Sequence, residues 1–199
     1  QEANRCRDIL HSMGRVGKDD LHLRNAPLSE VLREAAEPHV ERGKIVNSAI
    51  IGDLDPADQP KIYRHPEIIH GLRNMIQNAV DFANSAIWVD YSWDDENITI
   101  RISDDGRGYP EHMLNRIGDP FVRSKKQGSD RNQRPGYKGM GLGLFIAKTL
   151  LERTGASLKF ANGSNADTVG QKSTERSGAI VQITWERLQI EHKVRELGP

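Results

Sequence analysis

Apolar residues recur along this chain with two periods, and the period changes mark out its elements. Cys6, Ile9, Leu10 and Met13 form one stripe at i, i+3, i+4 and i+7, which predicts an amphipathic helix over 1–13 ended by Gly14 and Gly17. "DLHL" (20–23) is a strand candidate. Pro27 opens a second helix with Leu28, Val31, Leu32 and Ala35 on one face. Beyond Gly43 comes the β-branched strand "KIVNSAII", then the turn-rich "DLDPADQP" and a short strand, "KIYR". Residues 65–83 carry the clearest helical period, with Ile68, Ile69, Leu72, Met75, Ile76, Ala79 and Phe82 on the apolar face. Strands "SAIWVDYSW" and "NITIRIS" follow, joined by the acidic turn Asp94-Asp95-Glu96. A polar loop (118–139), a helix (141–153, stopped by Gly155), the strand "SLKFA", a second polar loop (162–177) and the strand "GAIVQITW" complete the pattern. A charged tail occupies the last residues.

This order is not a regular β-α-β alternation. It predicts an α/β fold of the two-layer α+β sandwich kind, a mixed sheet with helices on one face, with the 1–17 helix outside it. Composition agrees with a globular chain: 36% of residues are hydrophobic, and 28 basic residues balance 28 acidic ones. No overall charge excess points to nucleic acid. The charge is uneven, however, and residues 116–138 carry a net +5. The single cysteine excludes an internal disulfide, and no apolar run reaches the length of a membrane span.

The stretch "GMGLGL" (139–144) runs into an apolar helix. It lacks the spacing of the dinucleotide fingerprint and the Lys-Ser/Thr of a P-loop. Glycines before a helix N-terminus still suit an anion, because the backbone can approach closely and free N–H groups point outward. A turn with no ligand fits the same residues. Two further stretches bear on the choice. Asn74, Asn78, Asp81 and Phe82 fall close to one helical face, and asparagine is a poor mid-helix residue. Their amides either face solvent or offer oxygens to a hard cation or a phosphate-bound water. In "SDDGRGYP", Asp104 ends a strand before Gly106 and Gly108. It is either part of a β-turn or a buried acceptor for a purine amine.

Taken together, "LRNMIQNAVDFA", "DDGRGYP", "IGDPFVR" and "GMGLGLFIAKTLLERTG" resemble, in order and spacing, the N, first glycine, F and second glycine boxes of the catalytic domain of bacterial sensor histidine kinases, within the gyrase/Hsp90/histidine-kinase/MutL superfamily. The resemblance covers about residues 27–185 and implies a Bergerat-type sandwich that binds ATP and Mg²⁺. It implies that Asp104 binds the adenine amine, that Asn78 coordinates Mg²⁺ with Asn74 beside it, and that Phe82 lies along adenine or ribose. Residues 119–138 would form a lid, with Arg123 and Lys138 on the phosphates. Gly106 and Gly108 would shape the adenine turn, and Gly139, Gly141, Leu142, Gly143 and Leu144 would wrap the triphosphate. Asp81 departs from the basic residue many of these kinases have; a basic lid residue would then serve, or Asp81 would join the water or metal network.

The resemblance also implies domains: 1–17, the end of a dimerisation helix; 18–186, the ATP-binding catalytic domain; and 187–199, a charged tail. None of the seven histidines matches the family's acceptor pattern, so the acceptor is expected upstream. Superfamily hydrolases place a glutamate one turn before the metal-binding asparagine; here that residue is Asn74, whose amide cannot act as a base. Neutral imidazole needs no such base, which favours transfer to histidine. The expected partners are the chain's own dimerisation domain in a homodimer and a response regulator, with no direct nucleic acid. The expected location is the cytoplasmic portion of an inner-membrane sensor kinase, reaching the membrane only through upstream segments. Cys6, between Arg5 and Arg7, is either a core residue or a redox-sensing thiol, and "NRCRDIL" resembles redox-responding kinases of the RegB/PrrB type. The alternatives are a gyrase/Hsp90/MutL-type ATPase and a non-catalytic, nucleotide-responsive interaction module.

Overall fold

A computed structural model describes residues 25–40, 42–117, 143–163 and 176–191. The expected helix at 1–13 and strand at 20–23 lie outside them. The two-layer α/β sandwich with a mixed sheet is what the described residues form.

Strands β1 (Asn25–Pro27) and β3 (Lys61–Tyr63) pair antiparallel as a small outlying sheet. The main sheet contains β2 (Ile45–Ile50), β4 (Ala86–Trp93), β5 (Asn97–Asp104), β6 (Ser157–Asn162) and β7 (Ala179–Glu186), in the order β2-β4-β5-β7-β6. Only β2 runs parallel to its neighbour; the other pairings are antiparallel. Helices α1 (Leu28–Ala36), α2 (Pro66–Phe82) and α3 (Gly143–Glu152) pack on this sheet.

Strand alternation decides what the helices cover. Ile87, Val89, Tyr91 and Trp93 of β4, Ile98, Ile100 and Ile102 of β5, and Val181, Ile183 and Trp185 of β7 all enter the core, at every second position. Helix α2 answers with Ile68, Leu72, Met75, Ile76, Ala79 and Val80. Each large side chain buried here contributes about 1.5–3 kcal/mol. Asp104 is in phase with Ile98, Ile100 and Ile102, so the period that builds the core also carries a carboxylate to its edge.

Two local devices set the helix layer. A β-carbon at Gly71 of α2 would stand 2.6 Å from Leu151 Cγ, so α2 and α3 approach more closely than any larger residue permits. Gly155 stops α3 at φ +88°, as its position predicts. The segment from 187, expected as tail, begins with a short helix α4 (Arg187–Ile190). Ile190 is buried, and Glu191 both bridges Ile62 and pairs with Arg187, so 187–191 pack with the sandwich. Among the described residues no helix is long and apolar enough to cross a membrane.

Candidate functional site

Helix α2 presents Asn74, Asn78, Asp81 and Phe82 at spacings of four, three and one. Asn78 Nδ2 donates to the Asn74 carbonyl at 2.8 Å. That bond fixes the amide's orientation, and among the described residues nothing donates to Oδ1. The first residue of α3 lies alongside: a β-carbon at Gly143 would stand 3.9 Å from Asn78 Nδ2 and 4.0 Å from Oδ1. The end of the second glycine box and the candidate metal-binding amide therefore meet across the α2–α3 contact. Leu144 packs against the core.

Asp104 closes the other side. Its side chain is buried, and Oδ1 accepts from the backbone N–H groups of Gly106 at 2.8 Å and Ala179 at 3.1 Å. Among the described residues nothing donates to Oδ2. Burial pushes the carboxyl above the ordinary carboxylate range, against the pull of those two N–H groups. A buried carboxylate with one oxygen engaged and one free is suited to accept from an amine donor.

Glycines make this arrangement possible. A β-carbon at Gly106 would meet the Phe82 carbonyl at 2.3 Å and Asp104 Oδ1 at 2.9 Å. One at Gly178 would meet Asp104 Oδ1 at 2.0 Å. The backbone thus closes around the carboxylate where any side chain would intrude. Gly108 turns the chain at φ +71°. Just beyond it, Asn162 at the end of β6 accepts from Tyr109 N and donates to Tyr109 O. Next to Asp104, Asp105 accepts from the N–H groups of Asn84 and Ser85, tying the first glycine box to the α2–β4 connection.

The expected site residues therefore divide. Asn74, Asn78 and Phe82 share α2 with Asp81; Gly143 adjoins Asn78; Gly106 joins Asp104 to the end of α2. Phe82, expected on the apolar face of the helix, is instead 65% exposed at its last position, past the end of the buried stripe. Asp81 forms an ion pair with Arg42 at 2.6 Å. Arg123, Lys138, Gly139, Gly141, Leu142 and Cys6 lie outside the described residues. Sequence reading missed Asn162, Gly178 and Arg42. Asn162 carried a signal, since it is in phase with Leu158 and Phe160 at a strand end.

The donor set fits nucleotide-borne Mg²⁺. Among the described residues no three His, Cys, Asp or Glu side chains gather to hold a metal. Asn78 Oδ1 is one neutral oxygen, the kind of ligand Mg²⁺ takes alongside phosphate oxygens and water.

Residues 64–189 match the family described as histidine kinase-, DNA gyrase B- and HSP90-like ATPase. The chain is 59% identical over 190 residues to the sensor histidine kinase RegB of Cereibacter sphaeroides, covering 93% of this chain and 40% of that protein. It is 31% identical over 126 residues to the sensor histidine kinase CpxA of Escherichia coli, covering 63% of this chain and 25% of that protein. The chain thus spans about two fifths or less of these relatives. Among solved structures, the mycobacterial sensor histidine kinase MprB superposes with a TM-score of 0.59 at 19% identity, covering 81% of this chain and 97% of that one. Full-length ShkA in complex with AMPPNP also gives 0.59, at 20% identity, covering 95% of this chain and 35% of that one.

Proposed function

The chain belongs to the histidine kinase-, DNA gyrase B- and HSP90-like ATPase family, and from that premise we propose that it is the catalytic part of a sensor histidine kinase, passing the γ-phosphate of Mg·ATP to a histidine on a dimerisation helix. The observation that carries the nucleotide reading is Asp104: a buried carboxylate held by backbone through Oδ1, with Oδ2 left for an adenine amine. The 59% identity to a sensor histidine kinase supports the kinase branch over the hydrolase branch. Asn74 supports it too, because an amide there cannot deprotonate water.

On this reading each residue has one task. Asp104 Oδ2 accepts from the adenine amine and fixes which way the base points. Asn78 Oδ1 would hold the Mg²⁺, and the bond that Asn78 Nδ2 donates to the Asn74 carbonyl keeps that oxygen forward. The N-terminus of α3 at Gly143 favours the negative phosphates. The acceptor imidazole nitrogen attacks phosphorus, the bond to the β-phosphate oxygen breaks, and ADP leaves with that electron pair. Positioning and charge stabilisation supply most of the acceleration.

The proposed partners are a second copy of the chain, paired through a dimerisation domain that carries the acceptor, and a response regulator that receives the phosphoryl group. The proposed setting is the cytoplasmic side of an inner-membrane sensor. Cys6 is the proposed redox element; an oxidant effect on activity that survives in Cys6→Ser would remove it from that role.

The test mixes this chain with a dimerisation segment bearing the acceptor histidine and γ-labelled ATP. Acid-labile label on that histidine, lost in Asn78→Ala and Asp104→Ala, is the expected result. Steady ATP hydrolysis without the segment would favour an ATPase. ATP binding without any label would favour a nucleotide-responsive module.

A further inference from the structure

The C-terminal turn of α2 is a poor place for a polyphosphate if its own charges are taken alone. Asp81 follows Asn78 by three residues, within the 5–6 Å that separates neighbours on a helix surface. The carbonyls of Ala83 and Asn84 lie just beyond, at the negative end of the helix dipole. A carboxylate and a helix C-terminus thus adjoin the amide proposed to meet Mg·ATP.

The turn ahead of β2 offsets this. Arg42 Nη2 donates to Asp81 Oδ1 at 2.6 Å, and Arg42 Nη1 lies 3.5 Å from His39 Nδ1. Lys44 Nζ donates to the Ala83 carbonyl at 3.1 Å and also to that of Asn84. Gly43, at φ +74°, makes the turn between the two cations. One short turn, about 40 residues earlier in the chain, therefore sets two positive charges against the anionic end of α2. The Arg42 and Asp81 side chains keep 30% and 23% of their exposure, so the pair sits at the water boundary, where a bound polyanion would feel either charge.

We infer that Arg42 is an affinity-determining positioning residue for the nucleotide: by neutralising Asp81 it makes the Asn78 end of α2 compatible with a triphosphate. This rests on the nucleotide reading above. Arg42 acts through Asp81, so the consequence of its loss is the exposure of Asp81 rather than the absence of a phosphate contact. One unpaired negative charge beside a bound ATP⁴⁻, partly screened, weakens binding roughly tenfold.

The experiment displaces a fluorescent adenine nucleotide from the chain with Mg·ATP and, separately, with adenosine. It compares the parent, Arg42→Ala, Asp81→Asn and the double variant, each checked by thermal melting. Arg42→Ala is expected to weaken ATP about tenfold and adenosine less than twofold, with a gap that narrows as salt rises. Asp81→Asn is expected to bind ATP at least as tightly as the parent, and the double variant to return to within about twofold of it. Unchanged ATP affinity in Arg42→Ala overturns the inference, as does equal loss for ATP and adenosine, or a loss that Asp81→Asn does not repair. If Arg42→Ala does not fold, Asp81→Asn decides alone: weaker ATP binding with unchanged adenosine binding would make Asp81 a direct ligand. A parent that binds adenosine but not ATP overturns the inference alone; one that binds neither overturns the nucleotide reading itself.

Discussion

The side chain of Asn162 bonds both backbone polar groups of Tyr109: Oδ1 accepts its N–H at 2.6 Å, and Nδ2 donates to its carbonyl at 2.7 Å. The two residues are 53 apart in sequence, and the bonds fasten the exit of the first glycine box to the end of β6. Gly108 makes the contact possible, since a β-carbon there would meet Asn162 Oδ1 at 2.6 Å.

Asn162→Ala removes both bonds and leaves two half-buried backbone groups without these partners. A loss of about 2–3 kcal/mol in unfolding free energy is expected from chemical denaturation. The Asp104 turn loosens with it, so ATP affinity falls in the folded protein and amide exchange at Tyr109 accelerates. Unchanged exchange at Tyr109 would mean that the clamp contributes nothing to the turn.

Asp104→Asn separates recognition from folding. Its Oδ1 can still accept from Gly106 and Ala179, but an NH₂ replaces Oδ2 and meets the adenine amine donor to donor. Binding is expected to weaken by about 2–4 kcal/mol, measured calorimetrically with Mg·ATP. The free protein, relieved of a buried charge, is expected to melt no lower than the parent at neutral pH.

The same carboxylate sets a pH dependence. Burial raises its folded pKa above the ordinary value, so protonation favours the folded state. Its contribution to stability is fully present below the unfolded carboxylate pKa and is lost as pH rises through the folded one. The parent's stability relative to Asp104→Asn should therefore decline with rising pH across that window. ATP affinity runs the other way: it requires the ionised form and should fall on acidification before an ordinary carboxylate titrates. Unfolding and binding titrations of both proteins across the acidic range check the two slopes.

The long elements were legible because their period is enforced by one buried face. Strands β4, β5 and β7 alternate, and α2 keeps its apolar stripe for 17 residues. Strand β1 was not, since three residues that include Pro27 become a strand only through their pairing with 61–63. Helix α4 is too short for a period, and only the burial of Ile190 reveals its packing. In the site, Asn78, Asp104 and Gly106 stood out because their residue types are costly or special where they occur. Asn162, Gly178 and Arg42 serve groups 39 to 74 residues away, and no local pattern announces such pairings.

Gly71 offers a test of how the helix layer holds the site. A methyl at this position would stand 2.6 Å from Leu151 Cγ and 2.8 Å from Cδ2, both inside real contact distance. In Gly71→Ala the α2–α3 contact must open or Leu151 must leave its buried position, at a cost of about 1–3 kcal/mol. The better helix propensity of alanine returns only about 1 kcal/mol of that. Opening the contact also draws Gly143 away from Asn78, so ATP affinity should fall along with stability. Leu151→Ala alone leaves a cavity and costs about 2–5 kcal/mol. Combining the two lets the new methyl occupy part of that cavity, so the double variant should be more stable than the sum of the singles by at least about 1 kcal/mol. It should also recover much of the ATP affinity lost in Gly71→Ala. Additive stabilities in this cycle would mean that the spacing of α2 and α3 is not set by this contact, and that the Gly143–Asn78 juxtaposition is set elsewhere.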